Sequence, residues 1–253
     1  MRKKLLLLPL CLLTLSVIGC QSNASSEAKP SESSQQEPSS SKEKVTFDAY
    51  TLAQLHEVRA AKGLQSLDKK NVSIKGKVTF NKRLADDEAT LYIQNGKYAV
   101  EVNYSKDYQV NVGDVVEIKG QLIFSEQGEV DTVFLSAYAS VNPDYDIHVI
   151  NEAIETETVT IKKEADLIEY DSSLASIKFK VTGNRNNAAF VGTLEEGNEE
   201  FIVAAKTNVA EKTAADAYKV DDSVLYEGVF TYSGDSSARV LRYLDKAGLS
   251  TLK

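Results

Sequence analysis

The sequence predicts an all-β protein with short helices: two small five-stranded Greek-key barrels in tandem, placed after an export signal and a polar tether. Three observations carry this. Five strand-like runs follow one another within about 70 residues, from Asn71 to Val141. Two of them contain mid-strand glycines, Gly76 and Gly120, of the kind that mark sharp bends in closed sheets. The second half of the chain then repeats the first, with "IKGKVT" (Ile74 to Thr79) recurring as "IKFKVT" (Ile177 to Thr182).

The chain opens with a basic n-region, Arg2, Lys3 and Lys4, and an apolar run from Leu5 to Ile18. That run falls short of the ~20 residues a spanning helix needs. "VIGC" (Val17 to Cys20) resembles the lipobox of bacterial lipoproteins. The resemblance implies that residues 1–19 are a signal peptide, that Cys20 becomes the N-terminus, and that it carries a diacylglyceryl group with palmitate-type acyl chains. The partner is then the membrane, at the extracytoplasmic face of an exported protein. Cysteine usage agrees: the chain has two cysteines, Cys11 lies in the apolar run, and Cys20 alone has no internal disulfide partner. Each buried acyl CH2 contributes ~0.8 kcal/mol, so two chains make a lasting anchor. Residues 20–44 are Ser-, Glu-, Gln- and Pro-rich without a large apolar side chain, and read as a disordered tether.

The first folded segment is expected over 45–143. Thr51 and Gln54 form a capping box, Tyr50 and Leu55 a hydrophobic staple, and Gly63 a helix stop, giving a helix over Leu52 to Lys62. Strands follow at Asn71 to Phe80, across a hairpin from Thr90 to Val102, and over Val110 to Phe124, with a turn at Gly113-Asp114, and Glu129 to Val141. Asn95-Gly96 predicts a type I′ hairpin, which would set Gln94 opposite Lys97 and Tyr92 opposite Ala99. Leu91, Ile93, Tyr98, Val100 and Val102 then face inward, and Tyr92, Gln94, Lys97, Ala99 and Glu101 outward.

Residues 144–158 read as a connection and 159–253 as the divergent second copy. "YQVNVGDVVEIKGQLIFS" (Tyr108 to Ser125) recurs loosely as "AYKVDDSVLYEGVFTYS" (Ala217 to Ser233), placing Gly120 on Gly228 and Phe124 on Tyr232. Upstream, "VTF" (Val45 to Phe47) matches "VTI" (Val159 to Ile161).

The pieces "TLAQLHEVRAAKG", "VSIKGKVT", "LYIQNGKYAVEV" and "VGDVVEIKGQL" resemble the OB-fold modules of bacterial secreted proteins, similar to those beside extracellular nucleases and to tRNA-anticodon-binding-like domains. The resemblance is close over Val45 to Val141 and weak over Val159 to Leu244. It implies a binding barrel, for oligonucleotides, oligosaccharides or protein partners, with its ligand face outside strands 2 and 3.

Formal net charge is −8, which disfavours binding to phosphate backbones by bulk charge. A nucleic-acid site needs stacking aromatics and a cationic groove. The candidate ligand-binding residues on the outer face are Tyr92, Lys97, Lys77 and Arg83, opposed by Asp86, Asp87 and Glu88. His56 and His148 are the only histidines, too few for a zinc site of the usual kind. Asp144, Asp146 and His148 alternate and would share a strand face that suggests a divalent ion. "LEEGNEE" (Leu194 to Glu200) is acidic and could attract calcium, but it lacks calcium-loop spacing and reads equally as a charged hairpin tip. No phosphate-binding glycine loop, nucleophile elbow or metalloprotease helix occurs, so no catalytic residue, cofactor or resident metal is assigned. The expected function is a membrane-anchored, non-catalytic binding or assembly module facing a protein or cell-wall glycan. The alternatives are capture of single-stranded nucleic acid and an accessory metal-dependent hydrolase.

Overall fold

The computed structural model describes residues 44–83, 88–105, 107–127, 130–185, 189–205, 218–234, 239–244 and 248–252. The lipobox, Cys20, nearly all of the tether, and Asp86 and Asp87 lie outside them.

The alternating run after Asn71 forms one long strand, β2 (Asn71–Arg83), which serves two partners. Its first half pairs antiparallel with β5 (Val115–Gln127) and its second half with β3 (Glu88–Asn95). β4 (Tyr98–Ser105) follows β3, and β6 (Val130–Ala137) lies between β4, to which it is parallel, and β5. The order β2-β3-β4-β6-β5 returns to β2, so the sheet closes. This is the OB-fold strand order. β1 (Asp48–Tyr50) adds beside β2 and β7 (Asp146–Val149) beside β5. β7 falls in the segment read as a connection, where Tyr145 and Ile147 are buried.

Gly120 explains how β5 turns the corner. A Cβ there would stand 2.5 Å from the Ser136 carbonyl oxygen of the neighbouring strand, so the barrel closes only around a residue without a side chain.

Helix α1 (Leu52–Ala60) starts at Thr51 with both capping-box bonds made and buries Leu52 and Leu55 in the first core. It ends at Ala60, two residues before the expected end, and its left-handed stop falls one residue early. Gly63 N–H donates to Val58 O and Lys62 N–H to Arg59 O, a Schellman motif whose left-handed position is Lys62, at φ 54°. Gly63 instead leads into a 3-10 turn at Leu64–Leu67 that buries both leucines.

The hairpin is also shifted. Asn95 pairs with Tyr98, Gln94 with Ala99 and Tyr92 with Glu101, so the turn residues are Gly96 and Lys97. Only Gly96, at φ 57°, is left-handed, whereas type I′ needs two such residues. The cause is tertiary: Gly96 N–H donates to Glu155 O and its carbonyl accepts from Glu157 N–H, through a bridge to Thr156. A slip of two residues leaves the faces unchanged. Leu91, Ile93, Val100 and Val102 accordingly lie in the core, with Tyr98 packed at its edge.

The second barrel repeats the first. β8 (Val159–Ile161) and α2 (Glu164–Glu169) precede β9 (Leu174–Arg185), β10 (Ala189–Leu194), β11 (Glu200–Ala205), β12 (Ser223–Gly234) and β13 (Arg239–Tyr243). β9 pairs with β12 to close the second barrel, and β14 (Leu249–Leu252) adds beside β12. Gly120 pairs with Val72 and Gly228 with Ala175; Phe124 pairs with Val133 and Tyr232 with Leu241. The copies therefore coincide where the sequence alignment placed them. One match is displaced: β8 pairs with β9 as Asp48–Tyr50 pairs with β2, so "DAY", not "VTF", is the counterpart of "VTI". Where β2 has Gly76, β9 has Phe179, whose ring meets Phe190 at 5.8 Å. The second core is thus filled largely by aromatics, and the first mainly by aliphatics.

Candidate functional site at the seam between the barrels

In the OB fold, ligands are expected on the outer face of β3 and β4, and this face is not open. Tyr92 and Gln94 are both 0% exposed, because the start of the second barrel packs over them. Gln94 is the centre of the contact. Its Nε2 donates to Gly96 O at 2.8 Å and to Glu157 O at 2.6 Å, and its Oε1 accepts from Leu174 N–H at 2.8 Å. An outward side chain beside a hairpin turn thus becomes a bridge to residues 63 and 80 positions away. Ser173 Oγ adds a bond to Lys97 O at 2.8 Å.

Each candidate ligand residue can now be placed. The Tyr92 hydroxyl donates to Glu101 Oε2 at 2.5 Å and the ring packs edge-on to Phe80. Burial, reinforced by the nearby Glu101 charge, raises its pKa far above the ordinary tyrosine value, so Tyr92 stays neutral. The expectation that it stacks a ligand at an exposed face is corrected: the ring is sealed under the seam. Lys97 reaches the other barrel, with Nζ 3.1 Å from the Tyr170 hydroxyl and 5.1 and 5.2 Å from the Tyr98 and Tyr170 ring centres. Lys77 is half-buried on β2, opposite Gln94. Arg83 ends β2 opposite Ala89, and its side chain lies outside the described residues. The structure therefore does not gather these four into one open patch.

The seam also has an α1–α2 side. His56 stacks on Tyr98 with ring centres 4.2 Å apart, and its Nε2 stands 3.9 Å from Glu169 Oε1 of α2. Arg59 Nη1 donates to Ile168 O at 3.5 Å. Burial is the main cause that lowers the His56 pKa; Arg59 and Lys97 lower it further, and Glu169 opposes them. Folding therefore favours the neutral ring. The His56 contribution is complete above the unfolded histidine value of ~6.5 and is lost as pH falls below it. We expect the melting temperature to decline between pH 7.5 and 5.5, and His56→Gln to flatten that slope.

Asp171 is buried in the seam as well. Its Oδ1 accepts from Tyr232 N–H at 2.8 Å, beside a recess of about 310 Å3 that Glu101, Phe134 and Arg242 also line. Sequence reasoning missed Gln94 as a structural bridge and missed Asp171 and Ser173 altogether. A short polar run after a helix signals nothing without its distant partners.

The histidine strand expected to suggest a metal does form. Asp146 and His148 lie on β7, with Asp146 Oδ2 3.1 Å from His148 Nδ1 and Glu117 Oε2 3.5 Å from its Nε2. Asp144 lies apart and accepts from Val45 N–H. Ser73 Oγ donates to Glu117 at 2.6 Å and is the largest cause of the lowered Glu117 pKa. Both ring nitrogens of His148 face carboxylates, and no group of three or more His, Cys, Asp and Glu side chains among the described residues is arranged to hold a metal.

What fold and seam define is a pair of docked OB barrels. No family model matches the chain, and no curated protein matches it. Among solved structures, the chain is similar to the p204 HINb domain, at 11% identity and a TM-score of 0.39, over 73% of this chain and 99% of that one. The second OB-fold domain of replication protein A from Methanococcus maripaludis matches at 15% identity and a TM-score of 0.25, over 35% and 91%. An aspartyl-tRNA synthetase from Entamoeba histolytica matches at 14% identity and a TM-score of 0.28, over 37% of this chain and 21% of the synthetase. The chain thus spans about a fifth of the synthetases it matches. The fold assignment rests on strand order and closure.

Proposed function

We propose that this chain is a lipid-anchored, extracytoplasmic binding and assembly protein without a catalytic step, which presents two docked OB barrels on a polar tether. The observation that carries the reading is the burial of Gln94. The first barrel uses its β3–β4 face to hold the second, so the pair offers its ligands composite surfaces beside the seam. The lipobox resemblance at Val17 to Cys20 supports the anchor, and the fold supports binding. The partner is a protein or a cell-wall glycan.

Two measurements test this. Cys20→Ala is expected to move the chain from the membrane fraction to the soluble fraction and to abolish acyl labelling. Crosslinking in intact cells is expected to trap a partner on the wild-type chain. Retention of the Cys20→Ala chain in the membrane, or a turnover activity in the purified chain, overturns the reading.

The fold itself also favours a second reading, capture of single-stranded nucleic acid. With Tyr92 sealed and Lys97 engaged, this would need a face other than β3–β4 of the first barrel. Fluorescence anisotropy with an oligonucleotide at low salt decides it: binding that weakens steeply with salt supports this reading, and no binding at high micromolar protein ends it.

A further inference from the structure

The α1–α2 side of the seam opens into a cleft of about 590 Å3. That lies in the range of small-ligand sites, ~300–1,000 Å3. Arg59, Lys62, Asp131, Ile168 and Glu169 are among its lining residues, so both barrels contribute. None of them belongs to the β3–β4 face.

Arg59 is half-buried, yet among the described residues its guanidinium makes one long bond, to Ile168 O at 3.5 Å. A planar fork with five donors and so little to hold it is prepared for a carboxylate. Lys62 stands at the left-handed position of the helix stop, where glycine is the favoured residue and Gly63 is its next neighbour. The backbone gains nothing from lysine there, and Lys62 lines the cleft. Glu169 and Asp131 line the same cleft. The formal charges of the four groups cancel, so a polyanion finds no net attraction, while a ligand carrying one charge of each sign finds a partner for both. Ile168 is 37% exposed, an apolar contact beside these charges.

We propose that the α1–α2 cleft binds a short peptide with both termini free. The carboxylate lies on Arg59 and Lys62, the ammonium on Glu169 and Asp131, and an aliphatic side chain against Ile168. The proposal rests on the reading of the docked barrels as one binding unit and names the ligand class of that unit.

The test is calorimetric titration of the full chain in detergent with Leu-Ala-Leu and with its N-acetyl and C-amide forms. The free peptide is expected to bind saturably at one site per chain. Blocking either terminus is expected to weaken binding by about ten-fold, and Arg59→Gln by a similar factor. Lys62→Gly separates binding from folding: it is expected to weaken binding several-fold while leaving the melting temperature level or higher, because glycine relieves the left-handed backbone. No saturable binding of the free peptide overturns the proposal. So does equal affinity for free and blocked peptides, or a Lys62→Gly chain that binds like wild type. Each of these outcomes leaves the membrane partition set by Cys20 unchanged, so failure here is distinguishable from failure of the anchored-binding reading.

Discussion

Gln94→Leu is expected to cost about 3 kcal/mol and to split a single unfolding transition into two. The side chain is fully buried and makes three hydrogen bonds: one to the Gly96 carbonyl in its own turn, one to the Glu157 carbonyl and one from the Leu174 amide. A net hydrogen bond is worth about 1 kcal/mol, and removing one partner strands the other groups in a dry contact. Leucine has a similar volume, so the loss is polar and leaves no large cavity. Because two of the three bonds cross toward the second barrel, the variant removes coupling along with stability. Scanning calorimetry reads both effects. A single transition with an unchanged midpoint would show that Gln94 does not hold the seam.

The second large effect is expected at Gly120. Valine there should cost about 3 kcal/mol or more, the upper end for overpacked cores. The reason is a backbone obstacle: the first atom of any side chain would lie 2.5 Å from the Ser136 carbonyl oxygen, which is held in the β5–β6 pairing. A flexible side chain could move aside; a paired strand cannot do so without opening the barrel. Gly113→Ala provides the contrast, since no atom lies within 4 Å of a Cβ there and only the left-handed φ of 99° resists. Chemical denaturation of the two variants should rank Gly120→Val well below Gly113→Ala. The reverse order would move the barrel-closing constraint elsewhere.

These predictions touch different levels of the structure, and the levels were unequally legible. The capping box at Thr51 and Gln54, the alternation along Asn71 to Phe80, and the bend at Gly120 are signals between near neighbours in the chain. Each appears in the structure, because caps and strand periodicity act over a few residues. The repeat was legible for the same reason, since copies that share inward-facing positions share pattern. The errors lie where a local preference met a distant partner. Asn95-Gly96 has the composition of a type I′ turn, but Gly96 is bonded on both sides by Glu155 and Glu157, and the turn moved to Gly96-Lys97. Gly63 had the composition of a helix stop, yet Lys62 took the left-handed position.

The candidate site shows the same division. That Tyr92, Gln94 and Lys97 leave the first core on its outer side is a statement about alternation, and it could be read from residues alone. Whether that outer side meets water depends on Tyr170 to Leu174, segments that only the folded chain brings together. By itself the sequence determined two copies of one barrel, the bends that close the first, and the signature at Cys20 from which a membrane anchor is inferred. The tertiary structure alone decided that the β3–β4 face of the first barrel is covered by the second, because a solvated face and a buried one carry the same alternation and differ only in what arrives from far along the chain.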